Sequence, residues 1–208
     1  LSARNSRMAI ELPPGIMFES TGQPSKRVPA SRKDTIYLSD RQLCKFVSGL
    51  IPEYLTRARV FTSKKNARYC KGSQLPRDAK FGFCSAWCPE LGVENQVDMI
   101  LLTGALDEKG AASVRAASER LGQDTVILLL NSRLKGLAAY TASDVDNVGF
   151  TPAFSLSPVH KDDDKKFAYR VYPQDWIVAE PRPTFIPGQT KDFTLFQGPE
   201  LPPADFFR

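Results

Sequence analysis

Two apolar runs flanking one capped helical stretch constrain this chain more than any other feature. "VDMILLTG" (97–104) and "DTVILLLN" (124–131) are runs of apolar residues, not alternations of apolar and polar ones. Such runs belong to strands covered on both faces. Between them lies "ALDEKGAASVRAASERLGQ". Asp107 is placed to cap a helix and Glu108 to complement its positive end. Gly110, Val114, Ala117 and Leu121 form a small apolar stripe that lets the helix lie close on a sheet. Gly122 can close it in the left-handed conformation. Strand, helix and strand together predict a right-handed crossover joining two parallel strands.

The rest of the chain is placed around that unit. "RMAIELPPG" reads as a strand over Met8–Leu12, stopped by Pro13 and Pro14. Ser39 and Gln42 make a capping box, with Leu43, Phe46, Val47 and Leu50 on one helical face. "ARVFTS" (58–63) is a further strand, and Phe83–Cys88 is a short strand or a single helical turn. Leu134–Tyr140 carries a helical pattern. The segments 150–158, 167–173 and 176–181 read as consecutive strands, with "HKDDDKK" and Tyr172–Asp175 as the turns between them. The expected fold class is α/β: a mixed sheet with a parallel βαβ crossover core, an antiparallel C-terminal meander and extended Pro-rich arms. Residues 1–182 form one domain with loop insertions at 13–35 and 64–82, and 183–208 form a Pro/Phe-rich C-terminal arm.

At 42% hydrophobic and 25% charged residues, the 208-residue chain has globular composition. No apolar stretch is long enough to span a membrane. Its charge is uneven. Eight cations between Arg57 and Lys80 face only Asp78, a local +7 in a chain of net +5. Arg57, Lys64, Lys65, Arg68 and Lys71 of this block are candidates for contact with an anionic partner. Cys44, Cys70, Cys84 and Cys88 are too few for a disulfide framework. The Cys84/Cys88 spacing permits zinc, but the single His160 is far away in a charged loop, so free thiols are expected and no metal is assigned. Asp162, Asp163 and Asp164 are neutralised by neighbouring lysines and read as a solvated hairpin tip.

Chemistry has one obvious place to sit. Asn131-Ser132-Arg133 lies beyond the carboxyl end of a buried strand, where open α/β sheets bind ligands, and Thr103-Gly104 should share that edge. Neither turn matches a phosphate-loop or dinucleotide fingerprint. Asn and Ser at such a corner also serve to bond the turn's own backbone, and the expectation is that Asn131 and Arg133 pin the turn after the buried strand. No nucleophile elbow, zinc-protease or kinase motif occurs. No catalytic residue and no cofactor are therefore assigned. A phosphate- or nucleotide-handling enzyme using Thr103, Gly104, Asn131 and Arg133 stays open as an alternative. So does RNA binding by 57–80, although no RNA-binding module is present and nucleic acid is disfavoured.

The last stretch, "RPTFIPGQTKDFTLFQGPELPPADFFR", is too proline-rich for a helix or a central strand. Ordering an extended segment costs roughly 1–2 kcal/mol per residue. Phe185, Phe193, Phe196, Phe206 and Phe207 must therefore dock, either on the domain itself or in a partner's groove. The expectation is a partner.

The order "RMAIELPPG", "RARVFTS", "VDMILLTGALDEKG", "DTVILLLNSRL", "FAYRVYPQDWIVAE" resembles a plastid and cyanobacterial domain of unknown function over roughly 7–182. That family includes the low-photosystem-II-accumulation assembly factors of chloroplasts. "VILLLNSRL" and "YRVYPQDWIV" carry the likeness most. The resemblance implies a protein on the stromal side of the thylakoid, its transit peptide removed. It implies photosystem or antenna-complex proteins as partners, with the anionic thylakoid surface as a further contact, and it supplies no catalytic residue. The expected function is that of a non-catalytic accessory protein, either a peripheral or linker subunit or an assembly factor.

Overall fold

The structure, a computed structural model, describes residues 5–12, 16–18, 24–27, 58–62, 80–83, 99–160 and 163–207. In chain order the strands are β1 (Arg7–Glu11), β2 (Ile16–Phe18), β3 (Pro24–Arg27), β4 (Ala58–Thr62), β5 (Lys80–Phe83), β6 (Met99–Thr103), β7 (Val126–Leu130), β8 (Thr151–His160), β9 (Asp163–Val171), β10 (Trp176–Pro183) and β11 (Thr190–Gly198); helix α1 (Glu108–Arg120) joins β6 to β7. Nine of the strands form one sheet in the order β11-β10-β9-β8-β1-β7-β6-β4-β5, while β2 and β3 pair separately. From β8 through β1, β7, β6 and β4 to β5 every pairing is parallel. From β8 outward to β11 every pairing is antiparallel. The chain is thus an α/β protein with a mixed sheet, and β8 belongs to both halves.

The crossover forms as its sequence predicts. β6 and β7 pair in parallel, Leu102 opposite Leu129. Ile127 and Leu129 pack with Leu102, Ala9, Val114 and Ala117, and Leu128 and Leu130 on the other face are buried too. Each fully buried aliphatic side chain contributes about 1.5–3 kcal/mol. Asp107 caps α1, its carboxylate accepting from the amide of Gly110 at 2.7 Å. The other end differs from expectation. Gly122 does not take a positive φ. Instead Arg7 reaches across from β1 and caps the helix, donating to the carbonyls of Leu121 (2.8 Å), Ser118 (3.2 Å) and Gly122 (3.3 Å), while its other nitrogen donates to Thr125 O at 2.6 Å. A cation at the negative end of a helix also complements its dipole.

Further expectations change. Strands β2 and β3 fall within the expected loop at 13–35, β5 begins within the one at 64–82, and β8 and β9 run into the expected hairpin loop, to His160 and from Asp163. Leu134–Tyr140 is not a helix; Gly136 and Ala139 take positive φ, and only a short 3₁₀ turn, Ala139–Thr141, forms. Leu134, Leu137 and Ala138 are still fully buried, so the apolar pattern marked burial and not helicity. The C-terminal stretch is not wholly an arm, because 190–198 is an edge strand paired along β10 from Trp176↔Gly198 to Pro183↔Thr190. Its prolines flank the strand and do not interrupt it. The predicted helix at 39–51, and Cys84–Cys88, lie outside the described residues.

Candidate functional site

The corner at the carboxyl ends of β1 and β7 is where an α/β sheet would bind a ligand. Strand β7 ends because Asn131 takes φ 53°, a left-handed conformation that asparagine tolerates better than most residues. The amide of Asn131 still donates to Ile10 O at 2.9 Å, and its Oδ1 accepts from the amide of Leu12 at 2.7 Å. Arg133 also has positive φ, 60°. Its guanidinium is anchored by donation to Leu12 O (2.7 Å) and Thr141 Oγ1 (3.0 Å).

Glu11 occupies the centre. It is 1% exposed. One carboxylate oxygen, Oε1, accepts from Ser132 Oγ at 2.5 Å and from the Arg133 amide at 3.1 Å. The other, Oε2, lies 3.9 Å from Arg133 Nη1 and has no hydrogen-bond partner. Burial pushes the Glu11 carboxyl above its ordinary range, against the opposing pull of Arg133 and the hydrogen bonds from Ser132 and Arg133.

A buried carboxyl between a hydroxyl and a guanidinium has the composition of a catalytic group but not its access. Asn131 and Ser132 are 2% and 1% exposed. The amides of Gly104 and Leu106 donate to Leu130 O (2.9 Å) and Ser132 O (3.0 Å). These amides, Asn131 Oδ1 and the terminal nitrogens of Arg133 are thus engaged by the chain itself, and the corner acts as a lock between β1 and β7. Asn131 and Arg133 pin the turn, as the sequence suggested. Glu11 and Arg7 escaped sequence reading because Arg7, Ala9 and Glu11 alternate with apolar Met8, Ile10 and Leu12. A charged face of a strand normally reads as solvated; only coverage on both sides reverses that.

The residues singled out for partner binding divide. Phe196 and Phe207 belong to the chain's own core. Phe207 is buried with Val159, Ala168 and Val178, and Phe196 packs against that cluster with its ring 6.5 Å from Phe207. The final segment is held there by Tyr140, whose hydroxyl donates to Pro202 O at 2.8 Å, and by Lys166, which donates to Phe207 O. Burial raises the Tyr140 hydroxyl to about 12. Phe207 is consequently not available to a partner, whereas Phe196 is half-buried against the same cluster. Phe185, Phe193 and Phe206 remain exposed. Arg57, Lys64, Lys65, Arg68 and Lys71 lie outside the described residues, as do all four cysteines. One shallow cleft of about 250 Å³ lies beside α1, lined by Glu108, Ala112, Arg115, Asp144 and Asp146 among others. No group of three or more potential metal-ligating side chains occurs among the described residues. None of the helices is long and apolar enough to cross a membrane, again among the described residues.

Compared with known proteins, the chain matches no family model, no curated protein and no solved structure.

Proposed function

We propose that this chain is a non-catalytic accessory protein of the photosynthetic apparatus, a peripheral or linker subunit or an assembly factor on the stromal side of the thylakoid. The photosynthetic setting rests on the resemblance of "VILLLNSRL" and "YRVYPQDWIV" to the plastid domain. The non-catalytic reading is carried by one observation. The corner where an α/β enzyme would hold its substrate is held closed by Glu11, Asn131, Ser132 and Arg133, while Phe185, Phe193 and Phe206 of the C-terminal segment are exposed. A rigid platform that presents aromatic side chains fits a binding function. Its partners are photosystem or antenna-complex proteins, and the basic residues between 57 and 71 add a second, electrostatic contact.

Deleting the C-terminal segment would remove β11 and Phe207 and so perturb the core. The informative variant is the triple substitution Phe185→Ser, Phe193→Ser, Phe206→Ser. Tagged wild-type chain should co-purify with photosystem or antenna complexes from detergent-solubilised thylakoids, and the variant should lose most of that yield. Equal yields would remove the docking mechanism. Calorimetric titration with nucleotides and sugar phosphates should give no saturable heat; a signal abolished by Arg133→Ala would instead establish the enzyme reading.

A further inference from the structure

The end of the β10–β11 hairpin has a construction the domain does not need. Strand β10 pairs with β9 only from Ile177↔Tyr169 to Ala179↔Phe167, yet its pairing with β11 continues to Pro183↔Thr190. The last residues of β10 and the first of β11 therefore stand off the sheet as a two-stranded ribbon. An extra residue in β11, between the partners of Val178 and Ala179, bends it there.

The ribbon's tip is closed by hydrogen bonds and carries apolar side chains. The Gln189 amide donates to Ile186 O at 3.1 Å, and Thr184 N to Gln189 O at 3.0 Å. Between them Pro187 and Gly188, the latter at φ 81°, supply the residues of a type II turn. This turn holds up Phe185, fully exposed at 107%, and Ile186, exposed at 56%. Contiguous apolar side chains displayed on a fixed, convex tip mark a contact surface. A convex tip suits a soft, deformable apolar phase.

Charge and dimension point the same way. One step below the loop, Arg182 lies directly opposite Lys191, two cations side by side across the ribbon. Like charges in that position destabilise a hairpin unless an anion lies near them. Glu180 compensates Arg182 at 3.1 Å, leaving Lys191 as excess positive charge on that face, while Asp192 falls on the opposite one. Arg182 is further fixed over the Phe193 ring, 3.9 Å from its centroid. At about 3.3 Å per residue, the cation pair, with Arg182 three to four residues from Phe185 and Ile186, sits roughly 10–13 Å behind the apex. Interfacial apolar anchors bury about 5–10 Å into the boundary of headgroups and acyl chains. With Phe185 and Ile186 at that depth, Arg182 and Lys191 stand at the level of the lipid phosphates.

We infer that the β10–β11 ribbon is a membrane-surface anchor, inserting Phe185 and Ile186 into the interface of a bilayer whose anionic headgroups meet Arg182 and Lys191. It deepens the reading of the exposed C-terminal phenylalanines as a contact surface and rests on that reading for its biological setting. The test is flotation of the full chain with phosphatidylcholine vesicles, with and without phosphatidylglycerol. Wild type should float with the anionic vesicles and less with neutral ones. Phe185→Ser/Ile186→Ser should reduce the bound fraction at least about tenfold with an unchanged circular dichroism spectrum, and Arg182→Gln/Lys191→Gln should abolish the preference for phosphatidylglycerol. Phe185→Trp should give a blue-shifted emission that brominated lipid quenches. Absence of wild-type flotation, or equal flotation of the Ser variant, overturns the inference. The same Ser variant, assayed for co-purification with photosystem or antenna complexes, separates the two readings. Loss of the complexes without vesicle binding by wild type overturns the lipid anchor and leaves protein docking standing. Vesicle binding that is lost in the variant, with complexes retained, supports the anchor and removes docking through the tip.

Discussion

Strand β1 buries a charged side chain at each end, and the two ends are solved differently. Arg7 and Glu11 share one face, on either side of Ala9, which is fully buried in the cluster that includes Val114 and Ala117. Arg7 meets neutral dipoles. Its guanidinium is distributed over the carbonyls of Ser6, Ser118, Leu121, Gly122 and Thr125, so one cation ties β1 to the end of α1 and to the start of β7. Glu11 meets an opposite charge, but only one of its oxygens is hydrogen-bonded. A buried ion surrounded by well-placed donors or acceptors stabilises a fold, whereas an incompletely met one roughly cancels its own benefit. The comparison teaches that burial of charge is not one effect. The amino end of β1 is a clamp, and the carboxyl end is a specific but energetically indifferent lock.

Substitutions at three positions can break or sharpen that contrast. The largest effect belongs to Arg7→Ala, which strands several carbonyls at the end of α1 and should cost on the order of 3–5 kcal/mol. Urea unfolding should show a lower midpoint at unchanged slope, with hydrogen exchange accelerating first around 118–125. A loss below that of any Glu11 variant would invert the comparison. Asn131→Ala comes next. It removes the acceptor for the Leu12 amide and forces alanine into a left-handed conformation, for a loss of about 2 kcal/mol. Asn131→Gly should recover roughly 1 kcal/mol of this, because glycine adopts that φ without penalty. Equal losses for the two variants would show that backbone conformation is irrelevant at the corner.

Glu11→Gln should have the smallest effect, within about 1 kcal/mol of wild type at neutral pH, since the amide oxygen can still accept from Ser132 and Arg133. Its signature is the pH dependence. Burial raises the folded-state pKa of Glu11 above its ordinary value of 4.5, so the folded chain holds this proton more tightly than the unfolded one. Glu11 therefore makes the fold less stable as pH rises from about 4.5 through the raised value, and it adds stability on acidification across the same window. The difference in unfolding free energy between wild type and Glu11→Gln, plotted against pH, should fall through that window and be flat above it. A difference that rises with pH would mean the carboxylate is held charged by Arg133 more strongly than burial opposes it.

Residues close together in the chain settled much of this molecule without help. The apolar runs, the Asp107 cap, the strands read at 58–63, 150–158 and 176–181, and the turn at Tyr172–Asp175 are all local signals, and the structure has strands at Met99–Thr103, Val126–Leu130, Ala58–Thr62, Thr151–His160 and Trp176–Pro183. The pinning role of Asn131 and Arg133 was legible as well, because a polar corner after a buried run needs side chains to satisfy its turn.

Other features were decided only when distant segments met. β1 lies between β7 and β8, a placement that no pattern within 7–11 encodes. That placement buries Arg7 and Glu11, and their partners stand 111 to 122 residues away along the chain. The same holds for the C-terminal phenylalanines. Composition marks all of them as apolar, yet Phe207 is covered by Val159, Ala168 and Val178 while Phe185 is lifted beyond the sheet. Local propensity and capping act over a few residues and can be read in order. Burial of a charge or an aromatic ring depends on what covers it, and that is fixed by strand order and register.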